Sequence, residues 1–180
     1  MKPKTRTVVT EDLTAAERAA VIDVCVAAHD NEEFRKLFSV YIPSGGRHFL
    51  AYADDEIVSH AVVTTRWAQP EGHEPLRTAF VDAVSTHPAH QGRGYSSAAL
   101  RALADGVSDY EMGCLQTDIA PFYERLGWEL WRGPLAGRDD AGFVPTPDQR
   151  GVMILRVPKT PLLDLDALLT IEQQPHRIWE

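Results

Sequence analysis

Residues 81–97 read VDAVSTHPAHQGRGYSS, and this stretch decides how the rest of the chain is interpreted. It begins as an apolar strand, passes through a turn that contains Gly92 and Gly94, and continues into a segment with helical spacing. That order directs several backbone N–H groups and the positive end of a helix at one point, which predicts a site for a phosphate or diphosphate. The spacing matches neither a P-loop nor the GxGxxG dinucleotide motif, so an ordinary glycine turn stays open as the alternative.

The segments on either side predict an α+β fold of the α/β type, built as one domain over residues 1–180 around a mixed sheet. Thr14 and Glu17 have the spacing of a capping box, which predicts the start of the first helix. The predicted strands are residues 6–10, 48–53, 57–65, 77–86, 113–117, 128–131 and 152–157, and two further helices are predicted at residues 95–107 and 121–126. Residues 67–74 and 138–150 are polar and contain proline, so we expect loops there.

Charge and composition exclude several classes of protein. The 18 Lys and Arg against 26 Asp and Glu give a net charge of −8, which argues against nucleic-acid binding and mildly favours a cationic substrate. No apolar run has the length of a signal peptide or a membrane span, so we expect a cytoplasmic protein without membrane contact. Cys25 and Cys114 lack metal-ligand spacing, and we expect them in the core rather than at a metal site.

Two motifs together resemble the signatures of the GNAT acyltransferase superfamily. Residues 91–96, QGRGYS, resemble its acetyl-CoA diphosphate loop Q/R-x-x-G-x-G/A, with Ser96 at the last small position. Residues 121–128, PFYERLGW, resemble its second signature, FYxxxGF/W. The resemblance implies acetyl-CoA as cofactor and a GNAT fold, in which helices flank a mixed central sheet with splayed middle strands.

The resemblance extends to a narrower group of enzymes. The strand at residues 80–86, Tyr123, the segment 146–148 with Gly151, and a tail ending near Trp179 are similar to aminoglycoside 2′-N-acetyltransferases. This similarity implies a homodimeric, antibiotic-inactivating enzyme that acetylates the 2′-amine of an aminosugar. Two other interpretations stay open: a GNAT enzyme for another small primary amine or a protein N-terminus, and a non-catalytic acyl-CoA-binding regulator.

The resemblance also assigns roles in the transfer of the acetyl group. Tyr123 matches the general acid that protonates the leaving thiolate, and the N–H of Ala83 or Val84 is expected to polarise the thioester carbonyl. Asp82 stands where family members carry a Glu that acts through water, so it is a base, an ammonium anchor or a structural acid. The residues expected to bind acetyl-CoA are Val84, Ser85, Thr86, Gln91, Gly92, Arg93, Gly94, Tyr95, Ser96 and Ser97.

Acidic side chains are expected to bind the ammonium groups of the substrate. The candidates are Asp30, Glu33, Asp82, Asp118 and Asp148, together with Arg177 and Trp179 in the tail. Where the related enzymes carry an acid shortly before a terminal Trp, this chain has Arg177, a reversal of charge that would repel polycationic drugs. Arg177 favours an aminosugar that also carries a carboxylate, such as kasugamycin.

Overall fold

A computed structural model describes residues 3–36, 44–174 and 179 of the chain. These residues group into two units, one drawn from residues 1–64 and 81–106 and the other from residues 65–80 and 107–180. Two long strands, β3 (Glu56–Pro70) and β4 (Leu76–Thr86), contribute residues to both units. The expectation of one domain over residues 1–180 stays a prediction.

The first unit is built on an antiparallel ladder covered by helices. Strand β1 (Lys4–Val9) pairs with β2 (Arg47–Ala53), and β2 pairs with the first half of β3. Helix α1 (Ala15–His29) begins with the predicted capping box, in which Thr14 accepts from the N–H of Glu17 and Glu17 accepts from the N–H of Thr14. Helix α2 (Tyr95–Gly106) follows the glycine turn as predicted. The core of this unit contains Val8, Leu13, Val21, Cys25, Leu50 and Val62.

The second unit contains both parallel and antiparallel pairs. Its further elements are β5 (Met112–Gln116), α3 (Ala120–Glu124), β6 (Glu129–Leu130), β7 (Leu135–Asp139), β8 (Gly142–Pro145), β9 (Val152–Leu155) and β10 (Leu169–Glu172). Strand β5 is parallel to β4 and antiparallel to β9, and β10 is parallel to β7 and antiparallel to the end of β3. The predicted α+β class with a mixed sheet is therefore confirmed.

The pairing of β4 with β5 is short, as splayed middle strands require. Its register runs from Thr78↔Met112 to Phe80↔Cys114 and ends there, although β4 continues to Thr86. The backbone groups of β4 that follow Phe80 are therefore outside its pairing with β5. In the resemblance described above, this is the part of the strand that meets the cofactor.

The loops predicted at residues 67–74 and 138–150 are wrong in part, because strands occupy some of each segment, while residues 71–74 and 146–150 lie outside the strands. Residues 67–70 continue β3, because β10, about a hundred residues later in the chain, pairs with them at Ala68, Gln69 and Pro70. Residues 138–150 contain the end of β7 and all of β8, which form a hairpin with Gly142 at φ +128°. Long-range pairing therefore decides the conformation of residues 67–70, whereas β7 and β8 pair locally across a two-residue turn.

The two predicted core cysteines are confirmed, since both are buried and neither forms a disulfide bond. Within residues 3–36, 44–174 and 179, no group of three His, Cys, Asp or Glu side chains could hold a metal ion. No helix in the same described ranges is long and apolar enough to cross a membrane.

Candidate functional site

The glycine loop after β4 is held to the strand by its first residues. A 3₁₀ turn at Pro88–His90 begins where the Nδ1 atom of His87 accepts from the N–H of Ala89 at 3.3 Å. The side-chain amide of Gln91 then donates to the carbonyl of Thr86 at 3.3 Å. These bonds fix the loop at the end of β4, and Gly92, Arg93 and Gly94 after Gln91 are exposed.

The loop itself has the form of an anion cradle. Gly92 and Gly94 have φ +72° and +84°, and a Cβ atom added to either would have no atom within 4 Å, so space next to the backbone is open. Ala98 donates to the carbonyl of Gly94 at 2.9 Å, which starts the hydrogen-bond ladder of α2. The N–H groups before Ala98 therefore have no partner within the helix and lie at its positive end. The residues predicted to hold the diphosphate of acetyl-CoA fit an anionic group.

Ala83 has an unusual backbone for a residue inside a strand. Its φ is +49°, in the left-handed region that a residue with a Cβ atom enters at a cost of about 1–3 kcal/mol. The carbonyl of Ala83 lies 3.0 Å from Nδ1 of His60, a side chain with no exposed surface on β3. Such strain persists only where surrounding contacts hold it, and it is frequent at functional sites. Asp82 and Val84, on either side, are partly buried.

The end of β4 is tied into the first unit by side-chain contacts. The hydroxyl of Ser85 is 3.0 Å from Nε2 of His29, and the carbonyl of Ser85 accepts from the hydroxyl of Ser59 at 2.8 Å. The same Ser59 hydroxyl is 2.8 Å from Oγ1 of Thr86. Ser85 is buried, so any contact of this residue with acetyl-CoA would be made by its backbone.

Tyr123 lies on α3 in the second unit and is buried. Its ring packs edge-to-face on those of Phe122 and Trp128, at centroid distances of 5.0 and 6.1 Å. Burial raises the pKa of the phenol to about 12, and a hydrogen bond with the side chain of Thr117 acts in the opposite direction. The hydroxyl therefore keeps its proton at neutral pH and can donate it.

A cleft of about 800 Å³ opens beside Thr117 in the same unit. Its lining residues come from the end of β5, the segment that leads into β7, and the segment before β9: Thr117, Asp118, Ala120, Leu130, Trp131, Arg132, Gly133, Pro134, Leu135, Thr146, Pro147, Gln149, Arg150 and Gly151. The charged side chains among them are Asp118, Arg132 and Arg150. Because Thr117 both lines the cleft and bonds to Tyr123, the predicted general acid adjoins this cleft.

The two arginines of the cleft are fixed in different ways. Arg132 forms a two-pronged ion pair with Asp166, at 2.7 and 2.6 Å. Arg150 donates from Nη1 to the carbonyls of Pro147 and Gln149, both at 2.6 Å. Neither arginine was predicted from the sequence, because a polar segment gives no signal of which side chains line a cleft.

The predicted substrate residues are found in several places. Asp118 lines the cleft, while Asp148 lies between two lining residues without lining it itself. Trp179 is buried, and its indole N–H donates to the hydroxyl of Thr146, a lining residue, at 3.3 Å. Asp30 and Glu33 are exposed in the first unit, where Asp30 also ends α1 with a left-handed backbone. Arg177 lies outside the described residues.

The chain is similar to known acetyltransferases. A family described as acetyltransferase (GNAT) domain matches residues 10–131. Among solved structures, a GCN5-related N-acetyltransferase from Kribbella flavida shares 21% identity at a TM-score of 0.56, over 72% of this chain and 34% of that one. YhbS from Escherichia coli, in complex with CoA, shares 13% identity at a TM-score of 0.62, over 99% and 96%.

A third solved structure, the ribosomal-protein-S18-alanine N-acetyltransferase from Escherichia coli, shares 17% identity at a TM-score of 0.57, over 88% of this chain and 96% of that one. At these identities the likeness to the solved structures shows the fold alone. The chain spans about a third of the length of the Kribbella protein. The family match covers more than half of the sequence. The chain belongs to the acetyltransferase (GNAT) domain family, whose members transfer the acetyl group of acetyl-CoA to an amine.

Proposed function

We propose that this N-acetyltransferase acetylates the 2′-amino group of an aminoglycoside-type antibiotic, with kasugamycin as the favoured acceptor, and so inactivates it. The observation that carries the proposal is the cleft beside Tyr123, which, among the described residues, is lined by the carboxylate of Asp118 and the guanidinium groups of Arg132 and Arg150. A cleft of this size takes a sugar-sized ligand.

The charges of the cleft favour an acceptor with charges of both signs. Asp118 attracts an ammonium group, whereas Arg132 and Arg150 repel a polycation and attract a carboxylate. Because Asp166 already pairs with Arg132, Arg150 is the better partner for an anionic group on the acceptor. The positive charge of Arg177 in the tail favours the same class of acceptor. Kasugamycin carries both an amine and a carboxylate.

Acetyl-CoA supplies an acetyl group activated as a thioester. In the proposed arrangement the backbone N–H groups of residues 91–97 bind its diphosphate, with Arg93 adding positive charge at the exposed edge. The backbone of Val84, Ser85 and Thr86 binds the pantetheine arm as a further strand would. The N–H of Ala83 or Val84 polarises the thioester carbonyl, and the left-handed backbone of Ala83 supports a special role for this peptide.

Two side chains move protons in the proposed reaction. As a base, Asp82 takes one proton from the acceptor ammonium, and the neutral amine then attacks the carbonyl carbon; as an anchor, Asp82 pairs with the ammonium, which then loses that proton to water before the attack. Tyr123 gives its proton to the sulfur of CoA as the carbon–sulfur bond breaks. A phenol whose pKa burial raises to about 12 holds its proton at neutral pH, so Tyr123 is in the protonated form that this role requires.

The remaining predicted substrate residues, Asp30, Glu33, Asp148 and Trp179, are proposed to bind the acceptor. The protein is also proposed to be a homodimer. The second candidate function is acetylation of a protein N-terminus. A neighbour of this fold has that activity by its name, the acetyltransferase for the alanine of ribosomal protein S18. A regulator that binds acyl-CoA without catalysis is the third, and the buried Tyr123 beside a cleft argues against it.

The test is a mass-spectrometric assay with acetyl-CoA and three acceptors side by side: kasugamycin, kanamycin and a peptide with a free N-terminal alanine. One acetyl group on kasugamycin alone would support the proposal. Modification of kanamycin in place of kasugamycin would contradict the interpretation of the arginines, and modification of the peptide would favour the second function. The variant Arg150→Gln should weaken kasugamycin turnover and leave acetyl-CoA binding unchanged, with Arg156→Gln as a matched control, because Arg156 pairs with Glu129 and does not line the cleft.

A further inference from the structure

A chain of buried polar side chains ends at the left-handed residue of β4. Nε2 of His48 lies 3.0 Å from the hydroxyl of Thr10, and Nδ1 of His48 lies 2.8 Å from Nε2 of His60. Nδ1 of His60 in turn lies 3.0 Å from the carbonyl of Ala83. Thr10 and both histidines are buried, so each of these polar atoms needs its partner inside the protein.

With both rings neutral, one arrangement of protons satisfies the three contacts that link Thr10, His48, His60 and Ala83. The carbonyl of Ala83 can only accept, so His60 carries its proton on Nδ1 and accepts at Nε2. His48 must then donate from Nδ1, which leaves its Nε2 to accept from the hydroxyl of Thr10. The carbonyl of Gly46 lies 3.1 Å from that hydroxyl, but it already accepts from the N–H of Thr10 at 2.8 Å.

The charges around the two rings agree with this arrangement. Burial lowers the pKa of His60 to about 3 and that of His48 to about 4, and the guanidinium of Arg18 acts in the same direction on His48 while the carboxylate of Glu11 opposes it. The thiol of Cys25, 3.8 Å from Nδ1 of His60, has its pKa raised to about 11 by burial and is uncharged. Both histidines are therefore neutral donors and acceptors at the pH at which the enzyme works.

The hydrogen bond from His60 to the carbonyl of Ala83 also fixes the direction of the N–H of Val84. The described part of the chain has no cis peptide bond, so the Ala83 carbonyl and the Val84 N–H point in opposite directions from one rigid peptide plane. His60 has no exposed surface, and the carbonyl that it holds therefore points into the protein. The N–H of Val84 must point away from His60.

We propose that His60, held in place by His48 and Thr10, is a positioning residue that aims the N–H of Val84 at the acetyl carbonyl of acetyl-CoA. This inference rests on the proposed function, in which Ala83 or Val84 polarises the thioester, and it selects Val84. His60 does not touch the reacting atoms. It holds the strained peptide of Ala83 in the orientation that catalysis requires, so the donor does not have to reorient during the reaction.

The test uses the full chain with [1-¹³C]acetyl-CoA, and it needs no acceptor. Isotope-edited infrared spectroscopy reports the thioester carbonyl, whose stretch moves to lower frequency when an N–H donates to it. We expect a lowered frequency in the wild-type complex, a return toward that of free acetyl-CoA in His60→Leu, and recovery in His60→Asn, whose side-chain N–H replaces that of Nδ1. The affinity for CoA, which has no acetyl carbonyl, should be unchanged in all three proteins.

Two further observations separate this inference from the proposed function. With an acceptor, kcat should fall roughly tenfold or more in His60→Leu and recover in His60→Asn. If His60→Leu does not fold, Thr10→Val, which removes one hydroxyl at the far end of the chain, should shift the carbonyl frequency in the same direction by a smaller amount. A lowered frequency in wild type that persists in His60→Leu or Thr10→Val would overturn the role of His60 alone. An unperturbed carbonyl in bound wild type would overturn the oxyanion donor as well.

Discussion

The glycine loop at residues 91–97 and the cleft beside Thr117 are built in different ways. The loop is one run of seven residues that contains two left-handed glycines and the start of α2, and its proposed function depends on backbone N–H groups. The cleft takes its lining from residues scattered between 117 and 151, which strand pairing brings together. The loop is therefore a local backbone feature, and the cleft is a side-chain feature assembled by tertiary structure.

The difference explains how the two regions can change. A diphosphate offers the same oxygen atoms to every member of the family, so a backbone cradle suffices and tolerates Ser96 in place of Gly or Ala. The acceptor differs from enzyme to enzyme, and side chains such as Asp118 and Arg150 can be exchanged without disturbing the strands behind them. Variants that affect one region and spare the other test this division.

The largest effect is expected for Tyr123→Phe. Loss of the proton donor should lower kcat by about a thousandfold, equivalent to about 4 kcal/mol, because the thiolate must then leave unprotonated. The affinity for acetyl-CoA should be unchanged, since the phenol is not among the residues that hold the diphosphate. Steady-state kinetics and calorimetry measure the two quantities separately.

Tyr110→Phe is the matched control for this variant. Tyr110 is also a buried tyrosine of the second unit whose hydroxyl contacts a threonine, Thr65, at 2.9 Å. Removing that hydroxyl should cost some stability and leave kcat within about twofold of wild type. Equal losses of kcat in the two variants would mean that the Tyr123 hydroxyl serves packing, and an unchanged kcat in Tyr123→Phe would remove it from catalysis.

The sequence predicts what is local and misses what is long-range. The capping box at Thr14, the strand to Thr86 and the helix after Gly94 were predicted because each is specified by neighbours within a few residues. Residues 67–70 were predicted as a loop because their partner, β10, lies about a hundred residues away. The left-handed Ala83 could not be predicted, because alanine carries no signal for that conformation.

The candidate site divides in the same way. The two motifs and Tyr123 were selected by their resemblance to family signatures, each of which is a short run of neighbouring residues. His60 and His48 gave no signal, because a histidine on an apolar strand looks the same whether it packs in a core or holds a distant carbonyl. Arg132 and Arg150 were missed because only the pairing of β5 with β9 brings the chain around Arg150 next to Thr117.

The second prediction concerns the close approach of two strands beside the cleft. A Cβ atom on Gly151 would lie 1.9 Å from the carbonyl oxygen of Thr117, and the N–H of Thr117 donates to the carbonyl of Gly151 at 2.9 Å. Gly151→Ala should therefore lower the free energy of unfolding by about 3 kcal/mol, because the backbone has to separate. Urea unfolding measures the loss.

Gly72→Ala isolates the contribution of backbone conformation to that loss. Gly72 has φ +79°, close to the +73° of Gly151, but nothing lies within 4 Å of its added Cβ atom. We expect a loss of about 1 kcal/mol from the strained φ alone. Similar losses in the two variants would show that the approach of Thr117 to Gly151 is not tight in solution.

The third prediction concerns the pH dependence of stability. Burial lowers the pKa of His48 and His60 to about 4 and 3, below the unfolded value of about 6.5, so the unfolded chain binds more protons when the pH falls below 6.5. Their contribution is complete above that pH and is lost progressively down to the folded values. Between pH 7.5 and 5.5 the loss should be about 1.4 kcal/mol for each histidine.

Urea unfolding at pH 7.5, 6.5 and 5.5 measures this loss of stability, in a pH range above the one in which most carboxylates titrate. His60→Leu should be less stable than wild type at pH 7.5 and should lose about half as much stability on acidification. A wild-type slope near zero would mean that both rings are protonated in the folded state as readily as in the unfolded chain. The proton arrangement that connects Thr10 to Ala83 would then be wrong.

The smallest effect is expected for Gly92→Ala, and it bears most directly on the contrast between loop and cleft. Gly92 and Gly151 have the same φ within one degree, +72° and +73°, but only Gly151 faces backbone at close range. Alanine at position 92 should therefore cost stability only as much as it does at Gly72, and it should weaken CoA binding about fivefold because a methyl group enters the space the diphosphate approaches. Calorimetry with CoA, with Gly72→Ala as control, separates the two effects. A loss of affinity confined to Gly92→Ala would mean that the anion binds at the loop backbone. Equal affinities in both variants would mean that Gly92 has only a conformational role and that Arg93 and the start of α2 bind the anion.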